Sequence, residues 1–242
     1  SLVNDLGAWT TNANALPYAI QQHDATTYYN GYLYVLGGSA TSTVIYAPIN
    51  SNGSVGAWSY TTAMPAFRYD FSAVAYNGYL YAIAGQTTGN TATSSVIYAP
   101  MNSNGTIGSW LEAGAMPYSI YQHRSVIVNG YIYSAGGDNN IAGVNGTSTV
   151  SYAPINSNGT LGSWAITTAL PTVRLRYSMA ASGNFLYAIG GMVETTASTV
   201  TSSVLYAPIN SNGTVGTWSY TTALSTKNME SLAATNNGYL YI

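Results

Sequence analysis

Charged side chains are scarce in this chain, so their positions are informative. Among 242 residues there are five Lys or Arg, seven Asp or Glu and two His. Ten of those fourteen sit in short segments that share one phase: His23 and Asp24, Arg68 and Asp70, His123 and Arg124, Arg174 and Arg176, Lys227 and Glu230. The first eight fall three to seven positions after Pro17, Pro65, Pro117 and Pro171. Several arginines at one place suit planar anions, because a guanidinium donates two parallel hydrogen bonds to a carboxylate or sulfate. Two histidines with nearby carboxylates are metal-ligand types. Arginines with a Tyr–Glu pair would suit glycan hydrolysis. Which of these chemistries is open depends on what brings the segments together.

A repeat does so. The stretch Tyr46-Ala47-Pro48-Ile49-Asn50-Ser51-Asn52-Gly53-Ser54-Val55-Gly56-Ala57-Trp58 returns at 98–110, 152–164 and 206–218, and a clipped copy, Leu6-Gly7-Ala8-Trp9, opens the chain. The five tryptophans, Trp9, Trp58, Trp110, Trp164 and Trp218, are spaced 49, 52, 54 and 54 residues apart. A period near 50 indicates a repeat architecture. Each unit reads as four short strands. In the second, strand a is Phe71–Tyr76, and Asn77-Gly78 is a tight hairpin turn whose residues tolerate positive φ. Strand b is Tyr79–Ile83, strand c is Ser95–Tyr98, and strand d runs from Ile107 to Glu112 with Trp110 inside it. No segment keeps a helical period. Four antiparallel strands every 50 residues predict the blades of an all-β propeller.

The residues also resemble the kelch family, including the propeller of galactose oxidase. A glycine pair follows strand b (Gly37-Gly38, Ala84-Gly85, Gly136-Gly137, Gly190-Gly191), then a tyrosine (Tyr46, Tyr98, Tyr152, Tyr206), then the tryptophan. Ala84 and the long Asn-Ser-Asn-Gly hairpin depart from the family pattern. The resemblance implies a propeller over essentially the whole chain. It leaves function open, since the family spans enzymes and scaffolds.

One domain, 1–242, is therefore expected, with repeats at about 21–62, 70–112, 122–167 and 176–221. A closing blade would combine 230–242 with 6–12 and supply strands a, b and d without a strand c. Five blades is the first expectation and an arc of a larger ring the alternative. The open blade suggests a segment of a longer protein, and its edge invites strand exchange or dimerisation.

Hairpin geometry puts the a–b and c–d turns on one face and the b–c and d–a loops on the other. The first face is constant from repeat to repeat. The second varies and holds the ten polar residues, at the start of the innermost strand and hence near the axis. Two readings follow for them: they solvate the inner rim and pair with each other, as Arg68 and Asp70 could, or they form a ligand site over the channel mouth. The tyrosines and phenylalanine of strand b, from Tyr32 to Tyr241, are expected to pack between blades.

Composition excludes several classes. There is no cysteine, so the Cys–Tyr crosslink of galactose oxidase chemistry is absent, as are disulfides and thiol catalysis. Net charge is −2 with no basic patch, which argues against nucleic acid. No apolar run approaches a membrane span. Ser211–Trp218 faintly resembles the sialidase Asp-box, but Gly213 and Val215 stand at its key positions. Asp138-Asn139-Asn140 offers oxygen ligands of the kind Ca²⁺ takes, and a plain polar loop explains it as well. Charge content of 5% with abundant Tyr, Thr and Asn fits an extracellular or cell-surface protein. The sequons at Asn104 and Asn158 permit glycosylation and also suit turns. The expectation is a non-catalytic propeller, without cofactor or metal, that binds a glycan or protein through the variable face. The alternatives are a structural module of a surface layer or adhesin, and a sialidase-like hydrolase.

Overall fold

The computed structural model describes residues 11–19, 25–38, 41–139, 146–193 and 199–242. Its sheets follow the repeat. Blade 1 is β1 (Thr26–Tyr29), β2 (Tyr32–Leu36), β3 (Val44–Pro48) and β4 (Ser59–Thr61). Blade 2 is β5 (Ser72–Tyr76), β6 (Tyr79–Ile83), β9 (Ser95–Pro100) and β10 (Leu111–Ala115), with a small hairpin of β7 (Gln86–Thr87) and β8 (Thr91–Ala92) in its b–c loop. Blade 3 is β11 (Arg124–Val128), β12 (Tyr131–Ala135), β13 (Val150–Pro154) and β14 (Ala165–Thr167). Blade 4 is β15 (Ser178–Ser182), β16 (Phe185–Ile189), β17 (Val204–Pro208) and β18 (Ser219–Thr221). A two-stranded sheet, β19 (Ala234–Asn236) with β20 (Tyr239–Tyr241), follows. All pairings are antiparallel, and the four complete sheets are arranged as a β-propeller.

The turns expected between strands a and b are present. Asn77 and Gly78 both take positive φ, 48° and 82°, as do Asn30-Gly31, Asn129-Gly130 and Asn237-Gly238. This is the mirror-image turn whose twist matches paired strands. Strand d differs from expectation. It begins after the tryptophan in every blade, at Ser59, Leu111, Ala165 and Ser219. Before it the chain folds back: the Gly108 amide donates to the Pro100 carbonyl at 2.8 Å, and a Cβ on Gly108 would lie 2.8 Å from the Pro100 ring. The tryptophan thus belongs to the hairpin. Its indole N–H donates to the preceding unit: Trp58 to Asn14 O at 3.2 Å, Trp110 to Thr62 O at 3.1 Å and Trp218 to Thr168 O at 3.0 Å. Trp9 and most of segment 6–12 lie outside the described residues.

The core lies between blades rather than within them. One apolar cluster joins Tyr34, Leu36 and Val44 to Phe71, Leu80 and Ile97 across blades 1 and 2. A second joins Tyr81, Ile83 and Val96 to Ile120, Ile132 and Ala153 across blades 2 and 3. A third joins Tyr133 and Val150 to Tyr177, Leu186 and Leu205 across blades 3 and 4. A smaller one carries Ile189 and Val204 toward Leu224 and Leu240. Both faces of each sheet are therefore apolar, and each buried Leu, Ile or Tyr contributes about 1.5–3 kcal/mol of transfer free energy. The strand-b tyrosines also bond across the joint. The hydroxyls of Tyr34, Tyr81 and Tyr133 donate to the hairpin carbonyls of Gly105, Gly159 and Gly213 at 2.8, 2.9 and 2.7 Å.

Candidate functional site

The innermost strands β1, β5, β11, β15 and β19 neighbour one another in that order. Together with the residues just before them, they line a central cavity of about 310 Å³. The site lies where the chain enters these strands. Among the described residues, one at this step in each of blades 2, 3 and 4 and one before β19 adopts a left-handed backbone: Asp70 (φ 52°), Gln122 (54°), Arg176 (50°) and Glu230 (57°). Each is five positions after the repeat's proline, or after Ser225 where the proline is absent. Their backbones are linked in series. Gln122 N donates to Asp70 O at 2.8 Å, Arg176 N to Gln122 O at 3.4 Å, and Glu230 N to Arg176 O at 2.8 Å.

The side chains of this arc pair along it. Gln122 Nε2 donates to Asp70 Oδ2 at 3.3 Å, and Arg176 Nη1 donates to Glu230 Oε1 at 2.8 Å. The Arg176–Glu230 pair is open to solvent, with side-chain exposures of 39% and 54%. A pair so exposed adds at most about 1 kcal/mol to stability, which leaves both groups available to a ligand. Next to the arc, the Tyr121 hydroxyl donates to Asp138 Oδ2 at 2.9 Å. Burial and this bond push the Tyr121 phenol up to about 12, so it stays a neutral donor. The Tyr69 hydroxyl bonds Asn90 Oδ1 in the same way on blade 2.

The other residues singled out by sequence are placed differently. Arg68 is buried, and its Nη1 donates to Ala84 O and Ser95 O, both at 2.9 Å, while Nη2 donates to Ser95 Oγ at 2.8 Å. Arg174 repeats the pattern in blade 4 with Gly190 O, Ser203 O and Ser203 Oγ. Each guanidinium ties the start of its blade to the ends of strands b and c, beneath the face rather than on it. Burial lowers both pKa values; at Arg68 the charge of Glu112 partly offsets this. Arg124 is buried and lines the central cavity. Lys227 is exposed on the segment leading to β19. His23 and Asp24 lie outside the described residues.

His123 is fully buried, at the position that Phe71 occupies in blade 2 and Tyr177 in blade 4. Neither ring nitrogen has a hydrogen-bond partner. Burial first, and the Arg124 charge second, hold its pKa down at about 3, so the imidazole is neutral. Its neighbours in the repeat explain a histidine there. The Phe71 ring lies 2.9 Å from where a Cβ on Gly37 would stand, and the Tyr177 ring lies 2.9 Å from one on Gly136. The matching position in blade 2 is Ala84, which carries a real Cβ at φ 51°. A five-membered ring is shorter and leaves room for it. By repeat phase Ala84 and His123 take the places of Gly37 with Phe71 and of Gly136 with Tyr177, which is the pairing a smaller ring would compensate. No group of three or more His, Asp or Glu with metal-binding geometry occurs among the described residues.

Reasoning from charge missed Gln122, because the amide carries none. Repeat phase alone identifies it, since it stands at the same step as Asp70, Arg176 and Glu230.

No protein-family profile and no curated protein matches the chain. Among solved structures, one described as "Structure of YjhT" superposes with a TM-score of 0.73 at 16% identity, over 93% of this chain and 71% of that one. At that identity the likeness concerns the fold alone. It agrees with the propeller arrangement seen here.

Proposed function

We propose that this chain is a non-catalytic, extracellular, kelch-type propeller that binds a glycan or protein through the face bearing the d–a and b–c loops. The observation that carries the reading is the hydrogen-bonded arc Asp70–Gln122–Arg176–Glu230 over the central cavity. Left-handed backbone at four equivalent non-glycine residues is costly, and the fold repeats it where Asp70, Gln122, Arg176 and Glu230 bond to one another. Carboxylates, an amide and a guanidinium in fixed orientation match the hydroxyls of a sugar. Tyr69 and Tyr121 add flat amphipathic rings beside them. Asp70, Asp138 and Glu230 outnumber Arg176 in this cluster, so a neutral, hydroxyl-rich ligand fits better than a sulfate or polyanion.

A glycan-array screen tests this, with Arg176→Ala and Glu230→Gln as variants on the exposed pair. Neutral oligosaccharides should bind, and each substitution should weaken them about tenfold, the loss of one or two charge-assisted hydrogen bonds. Binding that ignores both substitutions would remove the arc from the site.

A further inference from the structure

The joints between the four complete blades follow one plan, and one joint departs from it. Where blade 1 meets blade 2, the Trp110 indole N–H donates to Thr62 O at 3.1 Å, the Ile107 amide donates to Thr61 Oγ1 at 2.9 Å, and the Thr62 hydroxyl donates to Ile107 O at 2.8 Å. Where blade 3 meets blade 4, Trp218 donates to Thr168 O at 3.0 Å, the Val215 amide donates to Thr167 Oγ1 at 2.8 Å, and the Thr168 hydroxyl donates to Val215 O. In both, a Thr-Thr pair on the outer strand of one blade brackets the hairpin of the next, and the indole closes the bracket.

Among the described residues, the joint of blades 2 and 3 shows none of these bonds. Three and four positions after its tryptophan, blade 2 has Ala113 and Gly114 in place of the threonine pair. The register of β10 shifts between Glu112 and Gly114, so that Gly114, at φ 112°, pairs with Val96 inside the ladder. In blades 1 and 3 the ladder ends at Thr61 and Thr167, which leaves the carbonyls of Thr62 and Thr168 for the neighbouring indole. A bulge of this kind re-aims the strand that carries it, and Trp164 Nε1 is buried with no hydrogen-bond partner. The entry to blade 3 is also less tied. Ile120 stands where Arg68 and Arg174 brace the entries to blades 2 and 4. Neither ring nitrogen of His123 is bonded, whereas the Tyr177 hydroxyl at the same step donates to Ala135 O at 2.6 Å across the joint of blades 3 and 4. Buried polar atoms left unpaired weaken the closed state of a contact.

We infer that the joint of blades 2 and 3 is the one at which this propeller opens, by separation of the blade 3 hairpin, residues 155–164, from β10. Among the described residues, the Tyr81 hydroxyl, donating to Gly159 O at 2.9 Å, is the side-chain bond that still holds this hairpin to blade 2. The inner side is better tied. The Ser125 amide donates to Ser72 Oγ at 3.0 Å and the Gln122 amide to Asp70 O at 2.8 Å, so β5 and β11 stay together and serve as the pivot. Local opening draws on the part of a structure with the fewest bonds to break. The Asp70–Gln122 link lies on the pivot side, so the opening leaves the arc in place and is independent of what the arc binds.

Native-state hydrogen exchange on the intact chain tests this. The hairpins of blades 2, 3 and 4 carry the same internal backbone bonds: Asn102 N to Thr106 O, Asn156 N to Thr160 O and Asn210 N to Thr214 O at 2.8–2.9 Å, with Gly108, Gly162 and Gly216 each donating to a proline carbonyl at 2.8 Å. They are therefore standards for one another, and this comparison needs no variant. The amides of Asn156, Gly159 and Gly162 should exchange at least about tenfold faster than their counterparts in the other two hairpins, the factor that loss of one or two hydrogen bonds produces. Thr61→Ala with Thr62→Gly gives blade 1 the edge residues of blade 2, and should raise exchange at Asn102, Gly105 and Gly108 toward the blade 3 rates. Equal exchange in the three native hairpins would overturn the proposal. So would fast exchange confined to the Leu161 amide, which marks one missing local bond rather than an opening, or a variant in which Asn102, Gly105 and Gly108 keep their native rates.

Discussion

Acid should unfold this protein through His123. The residue titrates at about 3 when folded and near 6.5 when exposed in the unfolded chain. Between those values the unfolded state binds one more proton than the folded state, so stability falls as pH falls. The slope approaches about 1.4 kcal/mol per pH unit, and a drop from pH 8 to pH 4 removes about 3 kcal/mol through this one group. Carboxylates titrate over part of the same range, so the effect must be isolated by difference. The comparator is His123→Phe combined with Ala84→Gly, which installs between blades 2 and 3 the pairing that Phe71 and Gly37 make between blades 1 and 2. His123→Phe alone should overpack against the Ala84 methyl and cost about 1–3 kcal/mol, most of it recovered in the double variant. Urea midpoints measured from pH 8 to pH 4 give both numbers. The native chain should lose stability faster than the double variant, and the two curves should run parallel above pH 7. Parallel curves throughout would refute a buried neutral imidazole, and absence of recovery in the double variant would refute the compensation.

Three further outcomes follow from contacts that the repeat makes between and within blades. Gly53→Ala and Gly105→Ala face the same left-handed backbone, φ 82° and 86°, but only the second adds a methyl 2.6 Å from the Tyr32 and Tyr46 rings; both should destabilise by about 1 kcal/mol, and Gly105→Ala by about 1–3 kcal/mol more in chemical denaturation. Trp110→Phe loses a hydrogen bond to Thr62 O, whereas the Trp164 indole N–H has no partner, so Trp110→Phe should cost about 1 kcal/mol more than Trp164→Phe. Arg174→Met removes the guanidinium donor from the Gly190 carbonyl and the Ser203 hydroxyl, with the Ser203 carbonyl keeping the Gly190 amide, and should lower stability by about 2–4 kcal/mol, while the circular dichroism of the remaining fold and any glycan affinity stay as they were.

Blade architecture was legible because it rests on local chemistry repeated several times. Asn-Gly turns, a glycine pair, Tyr-Ala-Pro and a tryptophan at constant spacing leave few arrangements of four strands. The limits of strand d were not legible, because the close approach of Pro100 to Gly108 has no signature in polarity. The candidate site was legible as a region and not as a set of residues. Arg68 and Arg176 lie three and five positions after their prolines, and two residues decide between a buried brace and an exposed pair. Charge cannot report that difference, but alignment of the repeats can. Ile120 stands where Arg68 and Arg174 stand, fully buried, which marks that step as interior. Gln122 stands with Asp70, Arg176 and Glu230, a step that runs from the buried Asp70 to the solvent-open Arg176 and Glu230.

The joints between blades have a direction. Blades 1 and 3 each send a tyrosine hydroxyl forward into the next hairpin and receive an indole N–H on the outer strand from that same neighbour, and blade 2 keeps the tyrosine half of the contact. Donor and acceptor halves are different surfaces carried by one unit, so the contact is head-to-tail. A unit of this kind is complementary to its own copy as soon as it is duplicated in tandem. Addition of a blade needs no new interface, only another copy of the segment, and single units such as blade 3 can then drift in their rim residues without disturbing the joint. A lineage built this way can change blade number and binding face independently.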